Sequence, residues 1–158
     1  MAVLIRSHLH FIPIKHNAKY SSLEWHGIRI FGKSTSYSLL CVYRKQEISM
    51  NVFLEEMSHL LLSYCPKTTD EVVVLGDFNV HFGEDANSVH LSNLLHQWGL
   101  FQMVNEPTCI SGYTLDLIFS NLYSLPLVTE VSKELIESTN PQIKFDHFPI
   151  FFSLYDEF

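Results

Sequence analysis

At 158 residues, with 47% hydrophobic and 13% aromatic side chains, the chain has enough apolar surface for one packed domain and too little length for two. Its formal net charge is −7, and no basic cluster is denser than Arg44-Lys45, so it lacks the electrostatic footprint of a strong nucleic-acid binder. The nine histidines can lessen that charge only below neutral pH and only where they are exposed.

In chain order, the apolar start Met1 to Ile5 is cut off by Arg6, Ser7 and His8, too early for a signal segment or a membrane span. Ile28 to Phe31 and Ser38 to Tyr43 are short, rich in β-branched or aromatic residues and bounded by turn formers, so they read as strands. Phe53, Met57, Leu60 and Leu61 then recur at helical spacing, with Glu55, Glu56 and Ser63 mostly elsewhere on the wheel, which predicts an amphipathic helix over Asn51 to Tyr64. Glu71 to Leu75 contains the unbroken apolar run Val72-Val73-Val74-Leu75, expected of a strand buried on both faces. A second helix follows, with a Leu91, Leu94, Leu95 and Trp98 stripe, Ser88 to cap its start and Gly99 to end it. Leu115 to Ser120 and Ile150 to Leu154 read as the last strands, and alternating strands and helices predict a layered α/β domain over residues 1–158.

Cys41, Cys65 and Cys109 are odd in number, far apart and in no metal-ligand spacing. They read as buried thiols of an intracellular, nuclear or cytoplasmic protein, with no cysteine-based metal site and no membrane segment.

Three stretches carry residues with chemistry. The strand Val72 to Leu75 runs into Gly76-Asp77-Phe78-Asn79, and strand alternation would put the Asp77 carboxylate and the Asn79 amide on one side at the strand's C-terminal end. There the carboxylate can activate water while the amide holds a phosphate oxygen; alternatively both satisfy backbone groups in a polar turn. In Pro107-Thr108 through Thr114-Leu115-Asp116-Leu117-Ile118, one acid interrupts an apolar strand, which is costly unless paired. His147 is a suitable partner, since an Asp-His pair fixes the imidazole tautomer; the other reading has Asp116 capping a neighbouring loop. Asp146-His147 can supply a metal ligand and a donor to charged phosphate, although such a pair alone is weak.

In that order, GDFN at Gly76 to Asn79, the stretch from Pro107 to Ser120, and Asp146-His147 ahead of Pro149-Ile150 resemble the endonuclease/exonuclease/phosphatase family. Within it they look most like the apurinic-endonuclease-type domain of non-LTR (LINE-type) retrotransposons. The resemblance spans nearly the whole chain and implies a layered β-sandwich flanked by helices, of the DNase I-like type. It implies an ancestral Mg²⁺- or Mn²⁺-dependent phosphodiesterase that nicks DNA. By position, Asp77 would align or deprotonate the attacking water, Asn79 and Tyr43 would contact the phosphate, His147 would stabilise developing charge, Asp116 would orient His147, and Asp146 would be a carboxylate on the metal side. Met1-Ala2-Val3-Leu4-Ile5-Arg6 resembles a strand inside the family's domain, so the chain is expected to begin past the family's Asn and its metal-ligand Glu. That predicts weak metal binding and weak activity, or an inactive remnant or interaction module, with a missing N-terminal segment or polyprotein partner. A small-molecule or lipid phosphoesterase is the remaining alternative. Lys45-Gln46 stands where the family has prolines, and Phe145 where it has a serine.

Overall fold

The structure, a computed structural model, describes residues 3–15, 18–65, 71–121, 129–133 and 146–153. A six-stranded sheet is built from β1 (Phe11–Ile14), β2 (Leu23–Phe31), β3 (Ser36–Arg44), β4 (Glu71–Asp77), β5 (Phe101–Gln102) and β6 (Asp116–Ser120), in the spatial order β1-β2-β3-β4-β6-β5. β3 and β4 run parallel, joined by α1 (Met50–Tyr64), and the other neighbours are antiparallel. The helix α2 (Ala86–Gln97) follows β4, and β7 (Thr129–Val131) pairs with β8 (Ile150–Phe152) as a separate two-stranded sheet.

The two faces of the large sheet are covered differently. On one, Leu40, Val42, Val72, Val74, Leu117 and Phe119 pack against Phe53, Met57, Leu60 and Leu61 of α1 and Leu91 and Leu95 of α2. On the other, Val73 and Ile118 meet Val131, Ile150 and Phe152 of the small sheet. The result is a layered α/β sandwich with helices outside one sheet, as the expected DNase I-like architecture requires. β4 is covered on both sides, which explains its unbroken valine run.

α1 is seated by Glu56, whose carboxylate accepts from the backbone N–H and hydroxyl of both Ser21 and Ser22 at the entry to β2. Desolvation raises its pKa, but the four hydrogen bonds outweigh it and hold the group down at about 2.

Several boundaries differ from expectation. β2 and β3 extend further than Ile28 to Phe31 and Ser38 to Tyr43, because the β2–β3 pairing runs without a break from Leu23↔Arg44 to Phe31↔Ser36. The cap of α2 is Asp85, whose carboxylate accepts from the Ser88 N–H at 2.8 Å, so the helix starts before the expected Ser88. Gly99 follows its end with φ 69, as a helix-terminating glycine should. Val3 to Arg6 form no strand; Val3 and Ile5 instead lie against Ile28, Ile30 and Tyr37. Of the three thiols, only Cys109 is buried, while Cys41 and Cys65 are half-buried. No helix among the described residues is long and apolar enough to cross a membrane. Phe145 and Leu154 lie outside the described residues.

Candidate active site

Three expected site residues are brought together by strand register. Tyr43 pairs with Asp77 across the parallel β3–β4 ladder, and Asp77 pairs with Asp116 across the antiparallel β4–β6 ladder. Because successive side chains alternate faces, Val72 and Val74 point to the helices while Val73, Leu75 and Asp77 point away. The same parity sends Leu117 and Phe119 inward and Asp116 outward, and Val42 inward and Tyr43 outward. Tyr43, Asp77 and Asp116 therefore form one row on the face opposite the helices, where β3 and β4 end. Tyr43 remains 39% exposed, and a cleft of about 460 Å³ lined by Glu24, Cys41, Tyr43, Leu75 and Asp77 opens beside it.

His147 enters from another direction. It forms an isolated bridge with Cys109, and its Nδ1 lies 2.7 Å from Oδ2 of Asp116. The costly acid in an apolar strand thus has the imidazole partner that its chemistry called for. Asp77, Asp116 and His147 each offer a ligand atom, all within 4.8 Å of one another. Asp77 and His147 are therefore close enough to act on one phosphate.

Electrostatics follow from this crowding. Burial raises the Asp77 pKa, the Asn79 N–H lowers it and the Asp116 charge raises it again, so the carboxyl titrates above its ordinary range. For His147, burial lowers the pKa, but the hydrogen bond it donates to Asp116 and the charges of Asp116, Asp77 and Asp146 prevail and raise it. A base with a raised folded-state pKa stabilises the fold fully below its unfolded value of about 6.5, and this contribution disappears as pH rises through the folded value. NMR titration should find His147 above that reference in the native chain and lower in Asp116→Asn; equal values in both chains would contradict the pairing.

Asn79 departs from the expected alternation. It lies beyond β4 with φ 49, and its backbone N–H donates to Oδ1 of Asp77 at 2.9 Å. Its side chain is tied to the end of β3: Nδ2 donates to the Arg44 carbonyl at 2.7 Å, and Oδ1 accepts from Gln46. Arg44 returns the contact, donating from Nη1 to the Asn79 carbonyl at 3.0 Å, from Nη2 to the Ile48 carbonyl at 3.1 Å, with its guanidinium over the Phe53 ring. Asp77 and Asn79 thus form the polar turn of the alternative reading, while the β4–β6 ladder sets Asp77 beside Asp116. Gln46, standing where the family has proline, fixes which way the Asn79 amide faces.

Asp146 is exposed and outside the trio, although its charge bears on both Asp77 and His147. Sequence reasoning passed over three further features: the Arg44 clamp, the buried Thr108 beneath Asp116, and a parallel stack of His81 on Tyr113 with centroids 3.8 Å apart. Only Thr108 had a visible signal, as a polar residue fixed just ahead of the Asp116 stretch.

The trio suits a hard divalent cation in its two carboxylates, which supply oxygen ligands, while the imidazole adds a donor that Mn²⁺ accepts more readily than Mg²⁺.

Comparisons with known proteins agree with this architecture. No curated protein sequence matches the chain. Among solved structures, the endonuclease domain of TRAS1, a telomere-specific non-LTR retrotransposon, is 18% identical with a TM-score of 0.67, covering 92% of this chain and 66% of that one. A functionally unknown conserved protein from Enterococcus faecalis V583 is 15% identical with a TM-score of 0.60, covering 96% of this chain and 66% of that one. A beta toxin mutant from Staphylococcus aureus with bound magnesium ions is 17% identical with a TM-score of 0.55, covering 80% of this chain and 56% of that one. The chain thus spans slightly under two-thirds of the first two and just over half of the third, and at these identities the likeness is one of fold. The family model described as endonuclease-reverse transcriptase matches residues 37–151, a span holding Tyr43, Asp77, Asn79, Asp116, Asp146 and His147, and the chain belongs to that family.

Proposed function

We propose that the chain carries the water-activating and phosphate-binding part of a divalent-metal DNA phosphodiesterase, a nicking endonuclease of the retrotransposon type. The observation that supports this most is the convergence of Asp77, Asp116 and His147 within 4.8 Å on one sheet face. Asp77, at the end of a strand and with a raised pKa, accepts the proton of the attacking water. His147, held charged and oriented by Asp116, donates to the phosphate oxygen as negative charge grows on it. Tyr43 and the remaining N–H of the Asn79 amide bind non-bridging oxygens, and Asp146 adds a carboxylate from the exposed side. A bound Mg²⁺ or Mn²⁺ would supply charge neutralisation at the phosphate, held by carboxylate oxygens of Asp77 and Asp116, with His147 kept as the protonated donor. With only two carboxylates in that set, binding is expected to be weak.

The test is conversion of supercoiled plasmid to the nicked form with 5–10 mM Mg²⁺, roughly the concentration a weak site requires, against the same reaction with EDTA. Metal-dependent nicking supports the proposal, whereas its absence with both Mg²⁺ and Mn²⁺ favours a catalytically inactive interaction module.

The His81–Tyr113 stack favours nucleic acid over a small phosphoester, because it places flat rings on the loops that lead from Asp77 and into Asp116. A nucleobase can extend such a stack at a worth of about 1–3 kcal/mol. Replacing His81 with Ala should raise KM for DNA about 5- to 100-fold, by that range, and leave hydrolysis of bis(p-nitrophenyl) phosphate unchanged. Equal losses on both substrates would remove this argument for DNA.

A further inference from the structure

Thr108 stands beneath both members of the Asp116–His147 pair and is fully buried. Its hydroxyl oxygen accepts from the backbone N–H of Leu115 at 2.9 Å and of Asp116 at 3.0 Å. Its carbonyl accepts from the N–H of Phe148, the residue after His147, at 2.7 Å, and its own N–H donates to the Tyr113 carbonyl at 2.9 Å. The next residue, Cys109, bridges to His147, and the one after it, Ile110, donates to the Asp146 carbonyl at 2.9 Å. One short segment therefore holds the start of β6 on one side and the His147 segment on the other.

The sheet explains why a hydroxyl is needed there. β5 pairs with β6 only at Phe101↔Ser120 and Gln102↔Phe119, with one more bond from the Met103 N–H to the Ile118 carbonyl. Beyond Ile118 that edge has no strand partner among the described residues, so the N–H of Asp116, with that of Leu115 just before the strand, would be unsatisfied at a half-buried position. The Thr108 hydroxyl takes the place of the absent ladder partner. Its β-branched side chain has few rotamers, so the acceptor is held in place.

We infer that Thr108 is a positioning residue, setting the separation of the Asp116 carboxylate and the His147 ring through one hydroxyl and one carbonyl. Its effect on turnover rests on the phosphodiesterase reading above; its effect on the pair does not.

The experiment compares Thr108→Val and Thr108→Ser in the full chain. Val keeps the shape and removes the acceptor, whereas Ser keeps the acceptor and removes a methyl. In proton NMR the His147 Nδ1–H, hydrogen-bonded to Asp116, should give a low-field resonance in the native chain and in the Ser variant, and lose or shift it in the Val variant. In the plasmid assay the Val variant should lose about 10- to 100-fold in kcat, the range seen when partners of a functional imidazole are removed, with KM within about twofold, and Ser should restore it. A folded Val variant with the native resonance, a Ser variant without it, or a native chain that lacks it would each overturn the inference. Should Val fail to fold, hydrogen exchange in the native chain decides: the amides of Leu115 and Asp116 are expected to be protected, and fast exchange overturns the inference. If the native chain does not nick DNA, the phosphodiesterase reading fails by itself and the spectroscopic result still stands.

Discussion

Asp77→Ala is expected to slow magnesium-dependent plasmid nicking by about 10²- to 10⁴-fold, the usual worth of a positioned general base, without loss of the fold. Two features of the site set the size of this loss. Asp77 closes β4, a strand covered on both faces, so its backbone is fixed in place. Its raised pKa, from burial and from the neighbouring Asp116 charge, makes it a better proton acceptor than an ordinary carboxylate. Asp77→Asn refines the test, because the amide keeps the volume and can still accept from the Asn79 N–H. A comparable loss in Asn and Ala variants would assign the effect to charge and proton transfer. A loss in Ala alone would assign it to the turn. Stability should move little or even rise, since removing one of two adjacent acids relieves repulsion. Native-like nicking by Asp77→Ala would remove Asp77 from the chemistry.

The parts of this arrangement that could be read from sequence are those fixed by local pattern. The valine run of β4 announces a strand covered on both sides, and the Phe53, Met57, Leu60 and Leu61 spacing announces the face of α1 that is buried. Asp116 could be paired with His147 on chemistry alone, since an acid in an apolar strand needs a partner, and the hydrogen bond at 2.7 Å is that pairing. Features fixed by neighbours could not be read in this way. β1 is Phe-Ile-Pro-Ile, uniformly apolar, with a proline that removes one ladder donor, and it is a strand only because β2 runs alongside. β5 has two residues, too few for any period. Alternation carried Asn79 to the wrong place because a single positive φ ends the strand before it. Arg44 entered the sequence reading only through the charge balance, yet its side chain is buried between Phe53 and the Asn79 turn.

The charge balance also takes on a narrower meaning. A net charge of −7 argues against affinity gained from phosphate contacts, but the acids that matter here are gathered at one point. Asp77 and Asp116 face each other across a single ladder position, with Asp146 acting on both Asp77 and His147. Such a grouping repels DNA unless a cation intervenes, so the proposed metal dependence and the proposed nucleic-acid binding stand or fall together.

Gly76→Ala is expected to destabilise the chain most among single methyl additions, by about 2–6 kcal/mol against a total of about 5–15 for a domain of this kind. Gly76 has φ 139, a conformation nearly closed to residues with a Cβ, and an added Cβ would lie 1.9 Å from the Val42 carbonyl oxygen. That oxygen belongs to the backbone of β3, paired residue for residue with β4, so it cannot turn aside as a flexible side chain would. Either β3 or β4 must shift, and these strands carry Tyr43 and Asp77 at their ends, Tyr43 next to last in β3 and Asp77 last in β4. Gly83→Ala is the control: its φ of 85 is also positive, but nothing lies within 4 Å of the added carbon, so it carries only the backbone cost of about 1–2 kcal/mol. Urea unfolding followed by circular dichroism should give a much lower midpoint for Gly76→Ala than for Gly83→Ala, and nicking should be lost in the first while the second stays active. Midpoints within about 1 kcal/mol of each other, inside the spread of ordinary substitutions, would mean that the close approach of β3 to β4 does not hold Tyr43 and Asp77 together.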